Sequence, residues 1–366
     1  MEKQVIFFGA CYYSGLMKLG RWLIQRSGPR LIILNYHRAS EGDLRRHMLY
    51  LRRRYRMLHL EEALEELYAH SEERARKQGQ DRRTPLVLTF DDGYYDNYTH
   101  AFPLACELKV PITIFLIPSY IENRRYFWWS EGDYLVKQAK VDQATFDNIT
   151  YHLRRQEDQK ALAKVIFDHL CYATSVAERE AFLKMAREEL AVPLDVPPEE
   201  KVALRWTDIR EMEESGWVSF GGHTMHHPVL GYLTDPGEIE REVRECRTAL
   251  EQQLGHPVRT FAYPFGKYEH YGQQSINSVE KAGFGWAVTT IYGINTPQSD
   301  PRQLHRIVGE ASRHWLLVGA RISGLEKTFS PLISYGRAIL TLWQEIITML
   351  LKFVSVGDRH AHEVNK

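Results

Sequence analysis

Leu86-Val87-Leu88-Thr89-Phe90-Asp91-Asp92-Gly93 is the stretch that decides how this chain reads. Five apolar or β-branched residues in a row suit a strand buried on both faces. The run then stops at two carboxylates and a glycine. Adjacent carboxylates repel and cost stability unless a cation or a proton is shared. Gly93 permits a sharp turn there. Asp-Asp-Gly is also ordinary turn chemistry, so the triplet needs a second signal before it means function.

Similar short runs lie on both sides. Leu31 to Tyr36 ends at His37, and Ile112 to Leu116 follows the first helix after Gly93. Trp217 to Phe220, Thr260 to Tyr263, Trp286 to Thr289 and Gln303 to Val308 complete the set. Helical patterns fall between them. The clearest is 236–254, whose apolar stripe Ile239, Val243, Cys246, Leu250 and Leu254 steps by three or four and stops at Gly255. Strand–helix alternation implies a parallel sheet. About seven to eight strands predict an α/β fold, a distorted (β/α) barrel, whose sites form beyond the C-terminal strand ends. His37, Asp91, Asp92, His223, Pro264 and Phe265 all fall there.

Residues 121–200 interrupt the alternation. An aromatic cluster, Tyr126-Phe127-Trp128-Trp129, leads into a long charged stretch closed by Pro193, Pro197 and Pro198. This reads as a helical insertion in a domain spanning 30–310. Residues 1–29 read as an N-terminal amphipathic helix. No A-x-A cleavage site follows its apolar run, so it is not read as a signal peptide. Residues 311–366 read as a C-terminal helical extension. There 338–354 is apolar apart from a narrow stripe at Thr341, Gln344, Glu345, Thr348 and Lys352, a breadth that suits docking on a membrane face, on a partner or on the body. No stretch reaches 18 uncharged apolar residues, so no spanning helix is expected.

Lys plus Arg equals Asp plus Glu, 47 each, which argues against a whole-chain nucleic-acid role. Arg52-Arg53-Arg54-Tyr55-Arg56 reads as a solvated helix face. Cys11, Cys106, Cys171 and Cys246 are too widely spaced for a thiolate zinc site or a disulfide framework. They suit free thiols in a reducing compartment, so the expected location is cytoplasmic, with peripheral contact at the inner membrane face.

The second signal is His223-Thr224-Met225-His226-His227-Pro228. His223 and His227 are four apart, so one helical turn would put both imidazoles on one side; His226 is out of phase. Two neutral imidazoles and a carboxylate are a common open zinc set that leaves a position for water.

Thr89-Phe90-Asp91-Asp92-Gly93, then His223-Thr224-x-x-His227-Pro228-x-Leu230, then Phe261-Ala262-Tyr263-Pro264-Phe265-Gly266 together resemble the polysaccharide deacetylase family, the NodB-homology or carbohydrate esterase family 4 group. The resemblance covers about residues 30–310 without the insertion. It implies that Asp91 is the general base, that Asp92 binds a divalent metal with His223 and His227, and that the Phe265 N–H helps hold the oxyanion. The family often places an arginine two residues before the motif proline; here Ala262 stands there, and Arg306, rather than Arg259, is the expected substitute. The usual C-terminal Leu-x-His motif of the general acid is not clean, since Leu304-His305 runs directly into Arg306. Leu34-Asn35-Tyr36-His37 is similar instead to the opening strand of the branch that contains poly-N-acetylglucosamine deacetylases. His37 is therefore the expected acid, with His305 the alternative.

These groups suit hydrolysis of an amide, which needs a Lewis acid, a base for water and an acid for the leaving nitrogen. The expected cofactor is Zn2+ and the expected partner an N-acetylated glycan, a lipid-linked intermediate among the options. Tyr94, Tyr263, Pro264, Trp128 and Trp129 are the candidate sugar-binding residues. Two other readings compete: a metal-dependent hydrolase of a small cyclic amide or an O-acetyl ester, and a carbohydrate-binding protein that has lost activity.

Overall fold

The computed structural model describes residues 2–40, 42–193, 197–198, 202–311 and 313–326. The chain forms strands β1 (Ile32–Tyr36), β2 (Arg56–Met57), β3 (Pro85–Phe90), β4 (Ile112–Leu116), β5 (Gln143–Phe146), β6 (Ile149–His152), β7 (Val218–Gly222), β8 (Thr260–Ala262), β9 (Trp286–Tyr292) and β10 (Leu304–Val308). Seven of these pair in parallel in the order β1-β10-β9-β8-β7-β4-β3. Pairing of β1 with β3, from Ile32↔Leu86 to Tyr36↔Phe90, closes the barrel. Short β2 pairs only with the start of β3. The expected distorted barrel is thus present, with seven strands in the closed ring.

Side chains alternate across a strand, and the inward set changes character along the barrel. Ile33, Val87 and Leu304 belong to one buried apolar cluster, joined by Leu60, Ala63, Leu64 and Leu67 of the helix Leu60–Tyr68. One step further on the same faces stand Asn35, Thr89 and Arg306, all buried. The apolar floor pins the strands, and the polar layer above it opens towards the C-terminal rim. Strand β7 runs two residues beyond the expected Phe220 because glycines continue it. A Cβ at Gly221 would meet Thr260 Oγ1 at 2.6 Å and the Phe115 ring at 2.7 Å, so no larger residue fits between these strands.

The insertion is not all helical. The helices Trp128–Gln138, Gln156–Cys171 and Val176–Glu189 are joined by an antiparallel hairpin, β5–β6. Its turn residues Asp147 and Asn148 both have positive φ, 49° and 61°, the geometry of a two-residue hairpin turn that Asp and Asn tolerate.

Residues 25–315 form one compact unit, and of the other described residues 2–24 belong with 316–326 to another. At the N-terminus there are two helices, Glu2–Tyr13 and Leu16–Arg26, rather than one. Gly15, with φ 83°, breaks them apart. Within this unit a Cβ at Gly20 would meet Ser323 O at 2.6 Å, so glycine lets the chain pass Ser323 closely. The apolar segment 338–354 lies outside the described residues. Among the described residues no helix is long and apolar enough to cross a membrane.

Candidate metal and catalytic site

Strand β3 delivers Asp91 and Asp92 to the rim and separates them. The Asp91 N–H still donates to Tyr36 O at 2.9 Å, continuing the ladder with β1. Asp92 and Gly93 then take left-handed φ values of 72° and 65°. The chain turns, and the two carboxylates face different partners.

Strand β7 delivers His223, whose N–H donates to Leu116 O at 2.9 Å. The following histidines are in a loop, not in the helical turn that their spacing suggests. Two non-glycine residues there have left-handed φ, Thr224 at 64° and His227 at 55°, and these bends bring the imidazoles together with ring centroids 4.7 Å apart. The loop is tied down at several points. Thr224 Oγ1 accepts from His227 N–H at 2.9 Å. Glu242 takes the His226 N–H at 2.8 Å and the His226 ring at 2.6 Å, which accounts for His226 without a metal. Trp128 Nε1 donates to His227 O at 2.9 Å, and Arg179 donates to His226 O at 3.0 Å.

Asp92, His223 and His227 are buried, and one ligand atom from each lies within 4.8 Å of the others. Asp92 Oδ1 is 3.5 Å from both His223 Nε2 and His227 Nε2. His223 Nδ1 lies 2.7 Å from Ala262 O. A ring N–H donating there leaves the Nε2 lone pair facing Asp92, the arrangement that orients a ligating imidazole. Burial pushes the His227 pKa well below its ordinary value, and the nearby Arg179 charge pushes the same way, so the imidazole is neutral, the form that ligates. No Lys or Arg pairs with Asp92 among the described residues. A buried carboxylate without a protein cation, facing two lone-pair donors, fits a bound divalent metal.

Asp91 has the opposite surroundings. Arg306 Nη1 donates to Oδ1 at 2.7 Å and Nη2 to Oδ2 at 2.8 Å. Asn35 Nδ2 adds a bond to Oδ2 at 3.1 Å. Burial alone would raise the Asp91 pKa, but the Arg306 charge and hydrogen bonds, with His223 and His37 behind them, outweigh it and hold the carboxyl at about 2. Arg306 is itself fixed by donation to Thr289 O at 2.7 Å and Thr89 Oγ1 at 3.2 Å. Arg259, by contrast, is 3.6 Å from Glu65 on the outside.

His37 Nε2 lies 4.0 Å from Asp91 Oδ2, with its side chain 47% exposed. The turn beyond it is built on Asp96, whose Oδ2 accepts from Arg38 Nε, Ala39 N, Ser40 N and Ser40 Oγ. Asn97 Nδ2 holds the His37 carbonyl at 3.0 Å. Strand neighbours point to opposite faces, so His305 faces away from Arg306. It lies against Gly293, where a Cβ would fall 2.3 Å from its Nδ1.

The aromatic candidates divide. Trp129 is part-exposed, with its ring 4.4 Å from that of His227 and its Nε1 donating to Tyr94 OH at 2.8 Å. Phe265, φ 59°, places its ring 5.6 Å from His227. Trp128 and Tyr263 are buried. Trp128 holds the His227 carbonyl, and Tyr263 OH donates to Arg302 O at 3.1 Å with its ring stacked on Tyr271. Pro264 is also buried. The sequence reading did not single out Asn35, Asp96, Asn97 or Arg179. Asn35 was detectable as a polar residue inside an apolar strand run; Arg179, in a charged helix, carries no such signal.

The sequence profile of the family described as polysaccharide deacetylase matches residues 78–285, more than half of the chain. The chain belongs to the polysaccharide deacetylase family. The matched stretch contains Asp91, Asp92, His223, His227 and Phe265; His37 and Arg306 come from either side of it. Membership makes this a hydrolytic deacetylase whose substrate class is glycan. YxkH of Bacillus subtilis (strain 168), whose name assigns it provisionally to polysaccharide deacetylases, is 21% identical over 298 residues, 78% of this chain and 74% of its own. IcaB from Ammonifex degensii superimposes with a TM-score of 0.51 at 19% identity, covering 81% of this chain and 98% of that one. The Streptococcus pyogenes deacetylase PplD, solved in complex with acetate, gives 0.50 at 18% identity, covering 80% and 98%. At such identities the structural likeness speaks for the shared fold.

Proposed function

We propose that this deacetylase removes acetyl groups from the nitrogen of an N-acetylated sugar within a polysaccharide or lipid-linked glycan, and that its cofactor is Zn2+ held by Asp92, His223 and His227. One observation carries the reading: two adjacent buried carboxylates have opposite fates. Asp91 is kept ionised by Arg306, while Asp92 is left facing two imidazoles. A set of two imidazoles and one carboxylate suits zinc and leaves a coordination position open.

When bound, the cation would polarise the acetyl carbonyl and lower the pKa of a water molecule towards ~7. Asp91, held ionised by Arg306, is placed to accept a proton from the attacking water. The Phe265 N–H makes no hydrogen bond among the described residues and is available to donate to the developing oxyanion. His37, part-exposed and 4.0 Å from Asp91, delivers a proton to the departing nitrogen, a task that suits an imidazole near neutral pH. Trp129 and Tyr94 flank the site and offer an aromatic wall to a sugar ring.

The reading extends to location: a cytoplasmic enzyme with peripheral contact at the inner membrane face through 338–354. The four cysteines, all free, and the apolar breadth of that segment support it. The test of the whole reading is release of acetate from a panel of N-acetylated glycans, with and without chelator. Turnover only of acetyl esters or small cyclic amides would favour the alternative hydrolase.

A further inference from the structure

The loop carrying His223 and His227 is held by a residue from the insertion. Arg179 lies on the helix Val176–Glu189, and its side chain is 2% exposed. Its Nη2 donates to His226 O at 3.0 Å and its Nη1 lies 3.4 Å from His227 O. Trp128 Nε1 donates to the same His227 carbonyl at 2.9 Å, and the guanidinium carbon sits 5.4 Å from the Trp128 ring centroid.

A buried guanidinium is expensive unless its charge is matched. The one carboxylate that reaches Arg179 among the described residues is Glu180, 3.4 Å from Nη2. Glu180 is already gripped by both Arg125 nitrogens, at 2.5 Å and 2.9 Å. Arg179 Nε has no partner among the described residues. The strongest engagement of this cation is therefore with main-chain oxygens of the histidine loop. That loop needs holding, because His227 sits at φ 55° and Thr224 at 64°. Such conformations persist only where the surroundings over-determine them.

We infer that Arg179 is a positioning residue of the metal site. It fixes the His226-His227 main chain so that His227 Nε2 faces Asp92, and it thereby makes the insertion part of the metal centre. This rests on the reading of Asp92, His223 and His227 as ligands. Without the clamp, His227 samples other orientations and one of three ligands is intermittently lost. Loss of an outer partner of a ligating group typically costs about 10- to 100-fold in metal affinity.

The test is zinc affinity of the full chain, measured by competition with a chelating dye, together with the melting temperature of the metal-free protein. Arg187→Met is the control. Arg187 lies on the same helix and pairs with Glu131 at 2.7 Å, and no hydrogen bond joins it to the histidine loop among the described residues. The inference expects Arg179→Met to weaken zinc binding about 10- to 100-fold, Arg179→Lys to fall between, and Arg187→Met to bind as wild type even if its melting temperature drops. If Arg179→Met does not fold, Arg179→Lys and Trp128→Phe, which removes the other donor to His227 O, carry the same expectation. Wild-type affinity in the Arg179 variants, or an equal loss in Arg187→Met, overturns the inference while leaving the ligand set standing. Failure of wild type itself to bind zinc overturns the ligand set and the inference together, and it is read first.

Discussion

Arg306 and Asp91 meet inside the barrel through two hydrogen bonds, Nη1 to Oδ1 at 2.7 Å and Nη2 to Oδ2 at 2.8 Å, although 215 residues separate them in the chain. β1 lies between β10 and β3 in the ring, so the two side chains reach each other across the Asn35 layer. Arg306 thus brings its guanidinium onto Asp91 from the last strand of the ring, while position 262 is an alanine.

Arg306→Met should be costly in two ways. It leaves a buried carboxylate unpaired, a loss of about 3–5 kcal/mol, visible as a lower melting temperature. It also removes the groups that oppose burial, so the Asp91 pKa rises and the acid limb of turnover moves to higher pH. The sign for stability is fixed by the same shift. Asp91 has its pKa depressed on folding to about 2, so its contribution, about 2–3 kcal/mol, is present above the ordinary carboxylate pKa and is lost as pH falls through about 2. A variant with unchanged acid limb and melting temperature contradicts the pairing.

Asp91→Asn separates the two carboxylates. It should keep stoichiometric metal, because Asp91 is not among the three clustered ligands. It should lose about two to four orders of magnitude in kcat, the usual worth of general acid–base catalysis. Near wild-type turnover would remove Asp91 from the role of base.

Much of this was legible in advance, for reasons that can be traced to particular residues. The strand runs and their rim residues were readable because a strand buried on both faces must be continuously apolar, so Asp91 and His37 stand out where each run stops. His223 and His227 were paired on a wrong local picture: spacing of four suggested a helical turn, while the structure brings the two rings together through left-handed Thr224 and His227. The hairpin β5–β6 was missed because its alternating face, Ala144 and Phe146 against Gln143 and Thr145, covers only four residues and sits between helical patterns. Arg179 and Asp96 could not be read at all. Their importance lies in which main-chain atoms they touch, and that depends on the packing of distant segments.

His37→Ala tests the acid. Metal content and fold should survive, since His37 is part-exposed and outside the ligand set. Turnover of an N-acetyl amide should fall by about two or more orders of magnitude. An acetyl ester with a good leaving group needs no proton to depart, so its turnover should fall much less. His305→Ala, on the opposite face of β10, should do little. Equal losses on amide and ester, or a large loss in His305→Ala, would reassign the acid.

Removal of residues 331–366 addresses location. Metal binding should persist, because every candidate ligand lies in the unit of residues 25–315. The protein should shift from membrane fractions to soluble ones, because the apolar face of 338–354 is gone. A full-length protein already found wholly in the soluble fraction would contradict the membrane contact.

The most direct test is acetate release from N-acetylated glycans by wild type, by wild type stripped with chelator, by the stripped protein after zinc is returned, and by the His223→Ala/His227→Ala double variant. The account predicts equal amounts of acetate and new free amine from wild type, none after stripping, recovery with zinc, and neither bound zinc nor product in the double variant. Stoichiometric zinc or undiminished acetate release in the double variant would contradict it.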